Sequence, residues 1–522
     1  MDTYNIIAIG GTGMRCAESF VYLCAMGMFD DTHVNLLALD TDYDNGNFKR
    51  LKTLVGNYRS IISKRNGPAC NTLFSAEIED YYFSPDYKES TTFNSISSYA
   101  IAQGKEHGSD SVKWKESDLA DLFLTENMRN MSLREGYRAQ TQMGSMLMYH
   151  AVIQEAYNYK KSGNAFQEKR GLPEFIENLM NNQKSKVFLF GSVFGGTGAS
   201  SIPILPHALQ KAAQIISQNG QADILSDNLF GTVMLTNYFT FGTPEGSDKV
   251  YATSDKFAFN SQAALFFYAN DKTVRSTYKR LYLLGREQMR DISNEGTRSV
   301  KGGEAQRNPA DYMELLAASA AYDFFHACRK HIDTPVFGKE SETFYRTIES
   351  DKEEFLSFNT FFGADGEKFA EKCGIFTASA FLYGPGDFGT NRSNDKTFNS
   401  LKGDIRLSKL QEFFQSYYDL NQKDTNDPGG GWIKQMYRSA KDYRGFLFNN
   451  EVFKEESRPS NWIKFDYTKY LFTAESSHNA SGGYDAFKKI FGEDDNIQSL
   501  QNTMEALLAR TYAAFRTLYK FS

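Results

Sequence analysis

The protein has 522 residues, 41% hydrophobic and 23% charged, with 40 glycines and 11 prolines. That usage excludes a collagen-like, mucin-like or wholly disordered chain, and the length suits two large domains or about three ordinary ones. The 58 Lys+Arg against 64 Asp+Glu give a net charge of −6, so the chain as a whole has no electrostatic pull toward nucleic acid or anionic lipid.

The first predicted element is a short apolar strand over 4–9. It feeds the glycine turn Gly10-Gly11-Thr12-Gly13 and then a helical stretch through Cys16, Phe20, Leu23 and Cys24. A second strand over 34–39 ends at Asp40-Thr41-Asp42. This β-turn-α-β start is the beginning of an open parallel sheet. Residues 43–130 are polar and show no clear periodicity, and 136–159 read as a loop followed by a Met-rich helix.

A buried strand is predicted over 187–193, followed by a second glycine turn, Gly195-Gly196-Thr197-Gly198-Ala199-Ser200-Ser201, and a helix over about 202–217. The uncharged run 187–210 is long enough to suggest a membrane span. Its central glycines and hydroxyls would be poorly satisfied in lipid, so a strand-turn-helix is expected instead. Further strands are expected over 230–235 and 281–284, with a helix near 260–268 between them.

At 308–311 the letters Asn-Pro-Ala-Asp announce a helix, with Asn308 as cap and Pro309 in the first helical position. The helix, expected over about 308–330, is apolar on most sides and should be buried. Beyond 331 the chain alternates charged, apolar and glycine-rich stretches, and ends in an amphipathic stripe over about 497–520. The expected division is a nucleotide-binding domain over 1–330 and a second α/β domain over 331–522.

The five cysteines, Cys16, Cys24, Cys70, Cys328 and Cys373, are scattered and contain no Cys-x-x-Cys pair. This argues for a reducing compartment and against structural zinc. Asp2 stands where a secretory leader would be basic, so a cytoplasmic location is expected. The seven histidines are too dispersed to suggest a metal site.

A strand that opens a helix through glycines is suited to phosphate, because backbone N–H groups can approach and the helix start carries partial positive charge. Each turn alone fits a plain strand-helix connection equally well; two on one sheet point to a phosphate. Neither contains the lysine of a Walker loop or the Gly-x-Ser-x-Gly of a nucleophile elbow, and Cys16 stands where a dinucleotide fingerprint needs glycine.

The order of these features resembles the tubulin/FtsZ superfamily of GTP-binding proteins. Gly195 to Pro203 is similar to that family's signature loop, Ile9 to Gly13 to its first phosphate loop, and Leu36 to Asp42 to its second strand and following loop. The resemblance covers about 1–330. It implies a Rossmann-like α/β sheet with a long central helix, and a guanine nucleotide, GTP or GDP, across the carboxyl ends of the strands. Gly10, Gly11, Thr12, Gly13, Gly195, Gly196, Thr197, Gly198, Ala199 and Ser200 would surround the phosphates. Asp42 would act on Mg²⁺ through water, or Asp40 and Asp42 would merely end a strand. Arg138 stands where the γ-phosphate loop should be, as a ligand contact or as part of a solvated loop. Tyr312 would stack on the purine and Glu314 would read its N–H edge, or Tyr312 would merely cover the helix start and Glu314 would be solvated.

The chain also departs from the family pattern. Phe194 replaces the first glycine of the usual triple, and Arg15 replaces an amide side chain, as a substitute phosphate contact. The acidic loop expected near 331–342 has Asp333, Glu340 and Glu342 but not the family's spacing, so no catalytic residue is nominated. The resemblance thus implies a bacterial tubulin-like protein that self-associates head to tail into a filament or oligomer, with GTP hydrolysis left open. A GTP-binding sensor that does not polymerise and reports to a protein partner in a defence or signalling complex is the alternative. An unrelated Rossmann-like enzyme with another phosphate ligand is the third reading.

Overall fold

The computed structural model describes residues 2–42, 44–96, 122–134, 136–163, 170–182, 184–217, 219–242, 252–293, 302–304, 306–327, 342–349, 356–384, 401, 403–418, 431–440, 443, 487, 490–491 and 503–518. The chain begins with β1 (Asp2–Ile9), α1 (Gly10–Met26), β2 (Thr32–Leu39), α2 (Gly46–Ile61) and β3 (Glu77–Phe83). Then come α3 (Thr141–Lys161), α4 (Leu172–Asn181), β4 (Lys186–Ser192), α5 (Gly196–Ser201) and α6 (Leu205–Ile216). They are followed by β5 (Leu229–Leu235), the two-residue β6 (Phe239–Thr240), α7 (Phe257–Asn270), β7 (Tyr278–Arg286) and the two-residue β8 (Arg290–Asp291). The last elements are α8 (Tyr312–Ala327), β9 (Glu342–Ile348), α9 (Gly366–Tyr383), α10 (Ile405–Tyr418), α11 (Trp432–Ser439) and α12 (Thr503–Leu518).

Seven strands form one parallel sheet in the order β3-β2-β1-β4-β5-β7-β9, with helices on both faces. This is the expected α/β fold. The central strands read as continuous apolar runs because both of their faces are covered: residues 4–9 and 34–39 are buried without interruption, as is all of β4. Ile6 lies opposite Leu36 on one side and Phe188 on the other.

One face carries α3, α4, α6 and α7, and the other carries α1, α2, α8 and the C-terminal helices. Every residue of α1 except Gly11 is buried, because a third layer covers it. In that layer Tyr22 meets Phe413, Tyr417 and Trp432 with ring centroids 4.9 to 5.5 Å apart, and the Trp432 indole donates to Ser19 Oγ at 3.2 Å. Such aromatic contacts add about 0.5–1.5 kcal/mol each beyond their buried area.

The boundary expected at 330/331 falls inside this structure. β9 pairs in parallel with β7 as the outer strand of the same sheet, and α9 to α12 share one core with α1 and α8. Among the described residues the chain beyond 331 therefore adds one strand and a helical layer to the first unit, in place of a second α/β sheet. The charged stretch that conceals β9 forms an edge strand, where only one side needs a hydrogen-bonding neighbour.

Three further boundaries differ from expectation. The first glycines belong to α1 itself, whose first residue is Gly10. The helix expected over 202–217 is two helices: α5 arises within the second glycine turn, and α6 starts at Leu205 with a proline in its first turn. The central helix starts at Tyr312, capped by Asp311 and not Asn308. Met313 N donates to Asp311 Oδ1 at 3.0 Å, and Asp311 N donates to Glu314 Oε2 at 3.1 Å, a reciprocal capping arrangement. The amphipathic terminal helix is α12, and 497–502 lie outside the described residues. Among the described residues no helix is long and apolar enough to cross a membrane.

Candidate functional site

The strand order reverses direction between β1 and β4, and at such a switch point the loops leaving adjacent strands diverge to opposite faces and open a crevice. Along the carboxyl edge the loops follow one another as Asp40–Asp42 after β2, Gly10–Thr12 after β1, Phe194–Gly198 after β4 and Tyr238–Phe241 after β5. They line an open cleft with about 1020 Å³ of empty space, its mouth included.

The two glycine turns meet there. A Cβ built on Gly10, whose φ is +66°, would stand 3.2 Å from Thr197 Cβ. Thr41 Oγ1 and Thr197 Oγ1 are 3.2 Å apart, and Thr197 Oγ1 donates to Asp40 Oδ1 at 3.4 Å. Neither α1 nor α5 has a side-chain cap, so the N–H groups of their first turns have no intrahelical acceptor and are available to an anion. Behind the cleft, the close fit demands glycine. A Cβ on Gly13 would lie 2.5 Å from Phe190 O, and one on Gly198 would lie 2.5 Å from Ser192 O.

Of the residues nominated from sequence, Gly10, Gly11, Thr12, Arg15, Asp40, Asp42, Arg138, Gly195, Gly196, Thr197 and Gly198 line the cleft. Gly13, Ala199, Ser200, Tyr312 and Glu314 do not. Gly13 packs α1 against the strands, and Ala199 O accepts from the Tyr268 hydroxyl. Ser200 Oγ donates to Thr197 O at 3.0 Å, while its carbonyl accepts from Ser145 Oγ at 2.9 Å.

The expected base contacts on the central helix do not fit their surroundings. Glu314 is fully buried and paired with Arg15 Nε; the Tyr238 hydroxyl donates to Glu314 Oε1 at 2.7 Å and accepts from Arg15 Nη2. Burial alone would lower the Arg15 pKa, but the Glu314 carboxylate and Tyr238 raise it more, so the guanidinium stays charged. Arg15 is thus a charged partner of Glu314 on the cleft lining. Tyr312 is fully buried as well, with the Arg286 guanidinium 4.9 Å from its ring and Tyr443 edge-on at 5.6 Å.

Asp40 is 3% exposed. Its Oδ1 accepts from Thr41 N at 2.8 Å and Asp42 N at 3.3 Å, while Oδ2 is buried without a hydrogen-bond partner. Burial, and next the neighbouring Asp42, push its pKa up to about 7. Asp42 Oδ2 accepts from Gly303 N at 2.6 Å. On one flank the segment 136–139 closes over the turns with three left-handed residues, Gly136, Arg138 and Ala139. A Cβ on Gly196 would lie 2.7 Å from Ala139 N. Non-glycine residues in that region cost of order 1 kcal/mol or more each, and such strain clusters at functional sites.

Two parts of the cleft escaped sequence reasoning. One is the amide-rich clasp between the start of α2 and 302–308. Asn45 Nδ2 donates to Gln306 Oε1 at 2.9 Å, while Asn47 and Asn308 exchange two hydrogen bonds of 3.0 and 3.1 Å. The Asn45-Gly46-Asn47 triplet was its only signal. The other is an aromatic wall. Phe194 meets Phe257 at 4.7 Å and Phe239 at 5.7 Å, and Phe241 meets Phe257 at 5.4 Å between ring centroids. Phe194, read as a departure from a glycine motif, is the anchor of this wall.

No known family's sequence profile matches the chain, and no curated protein matches its sequence. Among solved structures it is similar to CetZ2 from Haloferax volcanii in a GTPγS-bound protofilament. The identity is 12%, the TM-score 0.24, and the match covers 62% of this chain and 59% of that one. The protein thus spans less than two thirds of that relative's length, and at this TM-score the likeness says nothing of ligand or assembly here.

Proposed function

We propose that the cleft binds a nucleoside di- or triphosphate, with the phosphates over the paired turns at the β1/β4 switch point. The observation that carries this reading is the meeting of Gly10 and Thr197, from turns far apart in the chain, above two uncapped helix starts. Backbone N–H groups of Gly11, Thr12, Gly196 and Thr197 would hold the phosphate oxygens, with the Thr197 hydroxyl as a further donor. GTP or GDP is proposed from the motif resemblance to the tubulin/FtsZ superfamily, as is head-to-tail self-association.

A divalent cation fits the acidic flank. Asp40 presents a buried carboxylate oxygen without a hydrogen-bond partner, and the Thr41 and Thr197 hydroxyls stand beside it, an all-oxygen set suited to Mg²⁺. Bound there, the ion would offset phosphate charge. The acidic loop that would govern hydrolysis, with Asp333 and Glu340, lies outside the described residues, and Glu342 opens β9.

Calorimetric titration of the full chain with GTP, GDP and pyrophosphate, with and without Mg²⁺, tests the binding. Sedimentation over a range of protein concentrations tests assembly. GTP binding with GTP-dependent pelleting supports the full reading, and GTP binding without pelleting moves the function to a nucleotide sensor. Failure of every polyphosphate to bind removes the proposal.

A further inference from the structure

We infer that the base of the bound nucleotide stacks on Phe241, the half-buried ring in front of the buried cluster of Phe194, Phe239 and Phe257, and that the site discriminates little between guanine and adenine. This deepens the reading above and rests on it.

The wall is contiguous with the phosphate turns. Phe194 immediately precedes Gly195, with Phe239 edge-on and Phe257 tilted against it, so an apolar surface adjoins the start of the second turn. Ile292 and Ala252 extend that surface along the cleft. Phe194, Phe239 and Phe257 are buried, whereas Phe241 is half-buried and lines the opening. Its backbone is tied down on both sides, with Phe241 N donating to Ser254 Oγ at 3.4 Å and Ser254 Oγ donating back to Phe241 O at 3.0 Å. A ring at the mouth of the cleft, backed by Phe257 at 5.4 Å, is a stacking surface for any flat heterocycle, because every base has a π-face.

The second observation concerns selectivity. Guanine differs from adenine in presenting N–H donors at N1 and N2, and a carboxylate in the site would accept both. Glu314, the acid on the central helix, is instead closed in by Arg15 and Tyr238. Among the described residues the carboxylates on the cleft lining are Asp40 and Asp42, and both lie beyond the β1 turn on the side opposite the wall. The amide oxygens of Asn45, Gln306 and Asn308 already accept within the clasp, from Asn47 N, Asn45 Nδ2 and Asn47 Nδ2 respectively. An apolar platform with no free carboxylate beside it among the described residues separates related ligands by only about 10- to 200-fold, against about 10⁴-fold or more for a dedicated hydrogen-bonding site.

The test is calorimetry on the full chain with pyrophosphate, GTP and ATP, comparing the wild type with Phe241→Ala, Phe241→Tyr and Glu314→Gln, each checked for folding by circular dichroism. We expect GTP and ATP affinities within about tenfold of one another. Phe241→Ala should weaken both nucleotides by about tenfold while leaving pyrophosphate unchanged, and Phe241→Tyr should restore them. Unchanged nucleotide affinity in Phe241→Ala overturns the inference while leaving the phosphate site intact. A guanine preference above about 100-fold likewise overturns it, and its loss in Glu314→Gln would name Glu314 as the cause. Binding of none of the three ligands to the wild type removes the nucleotide reading and this inference together.

Discussion

Thr41 and Thr197 bring their hydroxyl oxygens to 3.2 Å across 156 residues of chain, joining the loop after β2 to the second glycine turn. Asp40 Oδ1 completes the cluster by accepting from Thr197 Oγ1 at 3.4 Å. The loops after β2 and β4 are thus tied across β1, over the switch of strand order. That tie presents the first N–H groups of α1 and α5 to the same volume.

Replacing Thr197 with Val keeps the branched shape and removes the hydroxyl. Because the bonds lost are partly exposed and neutral or singly charged, stability should fall by only about 0.5–1.5 kcal/mol. Polyphosphate affinity should fall by about tenfold, the worth of one charge-assisted hydrogen bond. Calorimetry with pyrophosphate beside a thermal melt reads both, and full affinity in the variant would show that Thr197 does not touch the phosphates.

Glycine is required at Gly198 and not at Gly56. A methyl on Gly198 would stand 2.5 Å from Ser192 O and 2.9 Å from Ser192 N, both backbone atoms of β4 and unable to swing aside. Gly198→Ala should therefore push α5 off the strand, with a loss of about 1–3 kcal/mol typical of overpacking and weaker ligand binding. Gly56 lies within α2 with nothing within 4 Å of its would-be Cβ, so Gly56→Ala should stabilise by about 0.5–1 kcal/mol. Denaturant melts of the two variants give opposite signs if the packing argument holds.

The legible parts of the fold were those where one local signal suffices. β1, β2, β4, β5 and β7 lie inside a parallel sheet, so their apolar runs stand out, and glycines mark where strands turn into helices. β3 was missed because it holds Glu77, Glu79 and Asp80 near the sheet edge, and β9 because its charged flanks resemble a loop. The site was legible where the backbone does the work. It was misread where a side chain's role depends on a distant partner: Glu314 looks like an available acid until Arg15, 299 residues away, is seen against it. The aromatic wall gave no signal, since its members come from separate segments and are hidden among 43 phenylalanines.

The Arg15–Glu314 pair is buried on both sides, with side-chain exposures of 2% and 0%. Removing one partner leaves a desolvated charge, so Glu314→Leu or Arg15→Met should each cost about 3–5 kcal/mol. The double variant Arg15→Met with Glu314→Leu exchanges the ions for apolar groups of similar size and should recover most of that loss. A double-mutant cycle by urea denaturation measures the coupling, and strictly additive losses would mean that the pair is not a unit.

Asp40 should make stability depend on pH with a definite sign. Its ordinary pKa of 3.8 is raised to about 7 by burial and by Asp42, so the native state retains a proton that the unfolded chain releases. Below the lower value both states are protonated and there is no penalty. As pH rises from about 4 to 7 the cost of keeping or losing that proton grows, and above 7 it levels off at a value on the order of 4 kcal/mol. Asp40→Asn keeps an acceptor for the Thr41 and Asp42 amides while removing the charge. It should therefore raise the melting temperature above pH 7, with the gain shrinking as pH falls and vanishing near pH 4. A divalent cation that binds Asp40 should reduce the gain at high pH by stabilising the ionised wild type. Melting curves from pH 4 to 8, with and without Mg²⁺, measure this, and a gain that does not change with pH would mean that Asp40 titrates in the native protein as it does in water.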